Sequence, residues 1–208
     1  MTEPRTDEPL SLRDRKRLAA MRRAQEVALE LFDEHGYHGV TVEQIAAAAE
    51  LSPSSIYRHF GTKEQLILWD DYDPQILQRM TEKLATHPPV EAMYLAIRDV
   101  YAQIFDRDER LIRLRTRYSI EEPSVQASVA LQTDQLAQLV ASLLARHTGR
   151  PDDDLEVRVI GGALIGAISA AIRQWHLTDY ERPFDQVMDQ TFEVLRRGLT
   201  LETASDTG

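Results

Sequence analysis

Cysteine is absent from the 208 residues, which removes disulfides, thiolate catalysis and cysteine zinc sites together. Stability has to come from packing. Uninterrupted apolar runs of about 18 residues, the length that spans a bilayer, are also missing. Residues 1–18 are too polar for a signal peptide, so a cytoplasmic protein with no membrane partner is expected. Nor is there a glycine-rich phosphate loop, a His-Glu-x-x-His pair or the Glu-x-x-His of di-iron bundles. Asp70, Asp71 and Asp73 could attract a divalent cation, but neighbours on a continuous helix diverge by about 100° and do not converge on one ion. Neither an enzyme, a metal site nor another cofactor is expected.

Positive charge is scarce as well. The chain has 24 Lys and Arg against 34 Asp and Glu, a formal net charge of −10. The distribution matters more than the sum. Residues 1–63 hold nine basic and ten acidic side chains, so the acidity sits in the rest of the chain. Arg13, Arg15, Lys16, Arg17, Arg22 and Arg23 have only Asp14 as a nearby acid, a local basic arm on an acidic protein.

What is present is helical periodicity. With 43% apolar and 28% charged residues the chain can bury a sizeable core, and apolar positions recur at helix spacing almost everywhere, with no convincing strand. An all-α fold of about nine helices is expected. Residues 1–10 and 201–208 read as disordered tails, 11–62 as a small head and 63–200 as a helical body. The first helix starts at Leu12 or at Arg22 and ends at His35, with Gly36 as its C-terminal cap. A fourth is expected over 63–86, before Pro88 and Pro89. A fifth carries the apolar stripe from Val90 to Phe105, and a sixth spans 108–120. Longer helices follow to about 147, 177 and 199.

The head is the most sharply written part. Thr41 with Gln44 forms a capping box, and Val40 with Ile45 is spaced as a hydrophobic staple. Ser52 is a good N-cap and Pro53 suits the first turn of the helix after it. Thr62 with Gln65 repeats the box. Three fixed starts so close together make short helices with set angles. Two such helices joined by a tight turn form a helix-turn-helix, whose second member lies in the major groove of DNA. Here that member is 53–60. Ile45, Ala48, Leu51, Ile56 and Phe60 can pack inward, which leaves Ser54, Ser55, Tyr57, Arg58 and His59 outside. Hydroxyls reach phosphates or base edges, and an arginine can grip guanine with two bonds.

The order Thr41, Val42, Ile45, Ala46, Ala49, Leu51, Ser52, Tyr57, Phe60, Lys63 and Leu66, with Leu31, Phe32, Gly36 and Tyr37 upstream, resembles the DNA-binding domain of TetR-family regulators. The resemblance covers about residues 20–68. It implies that Thr41, Tyr57, His59 and Lys63 clamp phosphates while Pro53, Ser54, Ser55 and Arg58 face the bases of double-stranded DNA. Arg13, Arg15 and Arg17, in an arm longer than the family minimum, could follow the minor groove or the phosphates. One position departs from the family: Glu50 stands in the turn where glycine is usual, and a left-handed Glu50 would cost roughly 1 kcal/mol.

In the body, Gly162, Gly166 and Ala170 share one helix face, so another helix can approach closely. The resemblance implies a homodimer through the last two long helices, with Phe192 and Leu195 contributing; packing within one chain is the plainer reading, and both can hold on different faces. Tyr94, Tyr101, Phe105, Tyr118 and Trp175 supply aromatic surface that is either core or the wall of a site for a small-molecule effector. Arg113 and Arg117 lie on another face, either a solvated stripe or the rim of that site. The Trp69 to Asp73 segment and the Arg113, Arg115, Arg117 run weakly resemble a TetR subgroup that binds acyl-CoA-like ligands, and arginines around an apolar cleft suit an acyl chain with a phosphate-bearing head. The function expected is a ligand-responsive repressor released from a palindromic operator. The alternative is a helical small-molecule carrier or interaction protein whose head no longer binds DNA.

Overall fold

A computed structural model describes residues 11–198. The expected tails at 1–10 and 201–208, and Leu199, lie outside that range. The described residues form nine α-helices and one 3-10 turn, and no strand occurs among them. The chain divides into two compact units after Trp69.

The first unit holds α1 (Leu12–His35), the 3-10 turn Tyr37–Gly39, α2 (Val42–Ala48), α3 (Pro53–Phe60) and α4 (Lys63–Leu68). Ser11 caps α1 by accepting from the Asp14 amide, so the helix begins at Leu12 and the basic arm is its first turns. Gly36 ends it at φ 75° and ψ 152°, a backbone region essentially open only to glycine. Thr41 and Gln44 make both halves of the capping box. Ser52 and Thr62 each accept the amide three residues on. Ala24, Ala28, Phe32, Ile45, Ala46, Ala49, Ile56, Leu66 and Ile67 form the core of this unit. Ala48, expected inside, is exposed and Ala49 is buried, because the buried stripe of α2 runs Val42, Ile45, Ala46, Ala49 at helical spacing.

Two side chains of α1 fasten this unit, and periodicity could not have found either. The Gln25 carboxamide nitrogen lies 3.0 Å, 3.0 Å and 2.6 Å from the carbonyl oxygens of Leu66, Ile67 and Trp69, at the end of α4 where helix carbonyls run out of intrahelical amides. Arg23 donates through Nε to the Ala49 carbonyl at 3.2 Å and pairs with Glu50 at 3.4 Å. Glu50 is left-handed at φ 59°. Its strain outweighs an exposed ion pair of a few tenths of a kcal/mol. Glu50→Gly should therefore raise the melting temperature by about 1–3 °C; a fall in a calorimetric scan would contradict strain at this turn.

The second unit holds α5 (Asp73–Leu84), α6 (Pro89–Glu121), α7 (Pro123–Thr148), α8 (Leu155–Leu177) and α9 (Phe184–Arg196). The helix expected over 63–86 is two helices, α4 and α5, because Pro74 has no amide to bond the Asp70 carbonyl of a continuous helix and suits only the first turn of a new one. The helices expected over 90–105 and 108–120 are one, since no glycine or proline interrupts 90–120. One split and one fusion leave the count unchanged. The core gathers Met80, Leu84, Met93, Ile97, Val100, Leu144, Leu164, Trp175, Phe184 and Phe192. Gly161 lets α8 touch α7: a Cβ there would lie 2.7 Å from the Ala137 carbonyl oxygen.

On the other side of α8, a Cβ on Gly162 or Gly166 would meet nothing within 4 Å. Leu155, Val159 and Leu177 are exposed along the same helix. By length and composition α8 is apolar enough to cross a bilayer, although Arg158 and Arg173 interrupt its apolar run. Its inner face, however, is committed to the core through Val157, Leu164, Ala171 and Trp175.

Candidate nucleic-acid interface and effector domain

Helix α3 is short and two-faced. Ile56 and Phe60 are buried beneath it, with the Phe60 ring edge-on to Trp69 at 6.1 Å. Pro53, Ser54, Tyr57 and Arg58 are exposed and Ser55 and His59 half-buried. Tyr57 keeps 50% of its surface. The outer groups hold one another in place. Ser52 Oγ lies 3.0 Å from Ser54 Oγ and 2.9 Å from Ser55 Oγ, and Arg58 Nη2 donates to Ser55 Oγ at 3.2 Å. An arginine held at one nitrogen presents the rest of its fork at a set angle.

Burial, then the charges of Arg58 and Arg17, hold the His59 imidazole below its usual pKa. That places Arg17, on the exposed start of α1, within electrostatic reach of the end of α3. Arg13 and Arg15 are exposed on the same turns. Arg17 also approaches Asp14 at 3.9 Å, an exposed pair of little energetic weight.

Two other expected phosphate groups have duties of their own. Thr41 Oγ accepts the Gln44 amide, an interaction that uses its lone pairs and not its proton. Lys63 Nζ donates to the carbonyls of Tyr37 and Val40 at 2.7 Å and 3.1 Å and sits 3.8 Å from the centre of the Tyr37 ring. It staples the 3-10 turn.

In the second unit the expected effector residues fall into three places. Tyr101, Phe105 and Trp175 meet in one aromatic cluster with Phe184 and Tyr180. Phe184 lies 4.6 Å from Tyr101 and 5.0 Å from Trp175 between ring centres, and Tyr180 lies 4.7 Å from Trp175. Trp175 is 1% exposed and donates to the Arg182 carbonyl, so it is core. Arg113 lies over Tyr180 at 4.8 Å and pairs with Glu109; its Nε is buried without a hydrogen-bond partner. Arg117 stacks on Tyr118. Tyr94 is elsewhere, donating to Asp189 at 2.6 Å beside Arg196. Among the interface candidates, Gly162, Gly166 and Ala170 lie on the open face of α8. Phe192 is fully buried against Tyr94 and Leu195 packs on the core.

Sequence reasoning missed a polar cluster at the start of this unit. Asp70 Oδ2 pairs with Arg115 at 2.6 Å, both mostly buried, and Asp70 Oδ1 accepts the Tyr72 and Asp73 amides. Tyr72 donates to Asp108 at 2.6 Å, which also pairs with Arg107. Burial and the charge of Asp70, opposed by Arg115, push the Asp73 carboxyl up to about 7. Burial pushes the Tyr101 hydroxyl upward too, with Asp70 adding to it. The signal was Pro74, which breaks the helix and turns Asp70 into a cap for α5. No group of three or more potential metal ligands occurs among the described residues.

A capped, two-faced helix held at a turn against a preceding helix, followed by a separate helical unit, defines a helix-turn-helix regulator. The family described as "Bacterial regulatory proteins, tetR family" matches residues 26–68, and "MftR C-terminal domain" matches residues 87–200. The HTH-type transcriptional regulator TcmR of Streptomyces glaucescens is 30% identical over 188 residues, 82% of this chain and 83% of that protein. The HTH-type transcriptional activator FasR of Mycolicibacterium smegmatis is 25% identical over 176 residues, covering 83% and 80%. Thermus thermophilus FadR, a repressor solved with lauroyl-CoA, shares the fold at 24% identity and a TM-score of 0.54, covering 90% of this chain and 99% of FadR. The chain belongs to the TetR family of bacterial transcriptional regulators, with an MftR-type C-terminal domain. It is a DNA-binding regulator and not an enzyme.

Proposed function

We propose that the protein is a cytoplasmic, homodimeric repressor that leaves a palindromic operator when a lipophilic effector, acyl-CoA-like in character, enters its C-terminal domain. The exposed Ser54, Tyr57 and Arg58 over buried Ile56 and Phe60 carry the DNA half of this reading. Arg58, Ser54, Ser55 and Pro53 face bases; Tyr57, Thr41 and His59 hold phosphates. Arg13, Arg15 and Arg17 add sequence-independent attraction along the backbone. Lys63 acts mainly by fixing the turn that carries Thr41.

The open α8 face with Gly162, Gly166 and Ala170 supports a second copy as partner, as do exposed Leu155, Val159 and Leu177. An exposed apolar helix face of this kind marks an interface in a water-soluble protein. The aromatic cluster around Tyr101 and Phe105, with Arg113 and Arg117 further along α6, supports an apolar ligand with an anionic head. FadR, solved with lauroyl-CoA, shares the fold. Coupling requires that the effector prefer the state in which the two reading helices no longer match successive grooves. Lauroyl-CoA added to the protein–operator complex at low micromolar concentration should release DNA and raise the melting temperature, while free coenzyme A does neither. No release and no shift would overturn the acyl-CoA reading and leave DNA binding standing.

His59 gives a pH signature. In the free protein its lowered pKa keeps it neutral at pH 7; a phosphate beside it favours the charged form. Binding then takes up a proton, so the contribution of His59 is present at low pH and lost as pH rises through its DNA-bound pKa. Operator affinity should climb several-fold from pH 8 to pH 6, at most about tenfold per pH unit for one proton. His59→Gln should flatten that slope in anisotropy titrations, and an unchanged slope removes His59 from the contact.

A further inference from the structure

Ser52, the cap of α3, has more contacts than capping needs. Its hydroxyl accepts the Ser55 amide at 3.2 Å and lies 3.0 Å from Ser54 Oγ and 2.9 Å from Ser55 Oγ. A serine hydroxyl has one proton and two lone pairs. The amide occupies one lone pair, so one proton and one lone pair remain for two hydroxyl neighbours. Ser52 therefore donates to one of them and accepts from the other.

Two proton orders satisfy this count, and they turn opposite characters outward. In the first, Ser55 donates to Ser52 and Ser52 donates to Ser54. The Ser54 proton is then free to point outward, while Ser55, with one lone pair filled by Arg58 Nη2 at 3.2 Å, has only its other lone pair to offer. In the second, Ser54 donates to Ser52 and Ser52 donates to Ser55. Both Ser55 lone pairs are now filled, by Ser52 and Arg58, so Ser55 offers its proton and Ser54 offers lone pairs. Arginine donates only, so Arg58 fills a Ser55 lone pair in both orders. One serine is an outward donor whenever the other is an outward acceptor. Ser52, Ser54 and Arg58 are exposed and Ser55 is half-buried, so water completes either order in the free protein. Against DNA that water is displaced, and a group facing its own kind is left unmet.

We propose that Ser52 is a positioning residue for base recognition, tying the hydrogen-bonding character of Ser54 to that of Ser55. This rests on the reading above that both serines face the operator, and it adds no new site to that reading. Phosphate oxygens, guanine O6 and N7, adenine N7 and thymine O4 only accept, whereas adenine N6 and cytosine N4 donate. When Ser55 donates to a phosphate or another acceptor, Ser54 is an acceptor and matches adenine N6 or cytosine N4. An acceptor opposite Ser54 reverses the order and forfeits the Ser55 contact. The two positions make one joint choice of operator sequence.

The test is a double-mutant cycle on the full chain, read by anisotropy on the operator selected from random duplexes. Ser54→Ala and Ser55→Ala should each weaken binding about 3- to 10-fold, and the double variant should depart from the product of the two losses by at least about threefold. In Ser52→Gly, which keeps most of the cap but lacks the shared hydroxyl, the same cycle should close to within about twofold. Ser52→Thr retains the hydroxyl and should retain the coupling. Ser52→Asp also caps but only accepts, so both serines donate into it; its selected sites should carry adenine or cytosine at the base Ser54 contacts, at a lower overall affinity from the added negative charge. A cap with no further role shifts stability or overall affinity and leaves the coupling intact. Independent losses in the natural chain, coupling that survives Ser52→Gly, or guanine or thymine selected opposite Ser54 by Ser52→Asp would each overturn the role of Ser52 while leaving the serines as DNA contacts. Should neither alanine variant weaken binding, the reading of both serines as operator contacts falls and this role with it.

Discussion

Gly161→Val should lower the melting temperature by roughly 10 °C, the largest stability change expected of any single substitution considered. The Cβ alone would stand 2.7 Å from the Ala137 carbonyl oxygen, 3.0 Å from the Ala141 nitrogen and 3.2 Å from its Cβ. Two of these are backbone atoms of α7, so no rotamer change relieves the clash and the helices must part. Overpacking a closed interface costs about 1–3 kcal/mol for a modest insertion, and valine adds two further methyl groups. The gain in helix propensity over glycine is below about 1 kcal/mol and cannot offset it. At about 3 °C per kcal/mol for a chain of this size, the shift is easily read in a thermal melt. A change under about 2 °C would mean that α7 and α8 do not approach as closely as Gly161 permits.

Gly166→Arg, five residues further along the same helix, should do something different. Nothing lies within 4 Å of a Cβ built there, so the fold of one chain is undisturbed. If that face meets a second copy, a charged side chain at its centre separates the pair, because a buried unpaired charge costs several kcal/mol. Sedimentation should show a monomer at micromolar concentration. Operator affinity should fall by more than about 100-fold, since two heads add their contacts on half-sites about one helical turn or more apart. A dimer that persists with full affinity would place the interface away from Gly162, Gly166 and Ala170.

The head was legible because its signals are local. A cap and the residue three positions on lie in one turn, so Thr41 with Gln44, Ser52 and Thr62 could be read directly, and Glu50 could be suspected of left-handed backbone. The body was less legible for the same reason. Treating 63–86 as one helix made Asp70 and Asp73 diverge, whereas the break before Pro74 frees Asp70 to cap α5 and to reach Arg115. The pairing of Asp70 with Arg115, and of Tyr72 with Asp108, depends on how α5 packs on α6, information carried by no short window. Aromatic spacing likewise could not separate Trp175 and Phe192, which are core, from Tyr101, which is only half-buried. Gly161 and Gly162 are adjacent in sequence, and only the placement of α7 tells which of them needs to be glycine.

The central claim is that α3 reads DNA as one of a pair. Selection of bound fragments from a random duplex library tests it most directly, run with the natural protein and with an Arg58→Ala, Ser54→Ala variant. Enrichment of a two-fold-symmetric site is predicted, with affinity falling steeply as salt rises and with base preference relaxed in the variant at the positions Arg58 contacts. Enrichment of no site, or of the same site with equal affinity by both proteins, would contradict it.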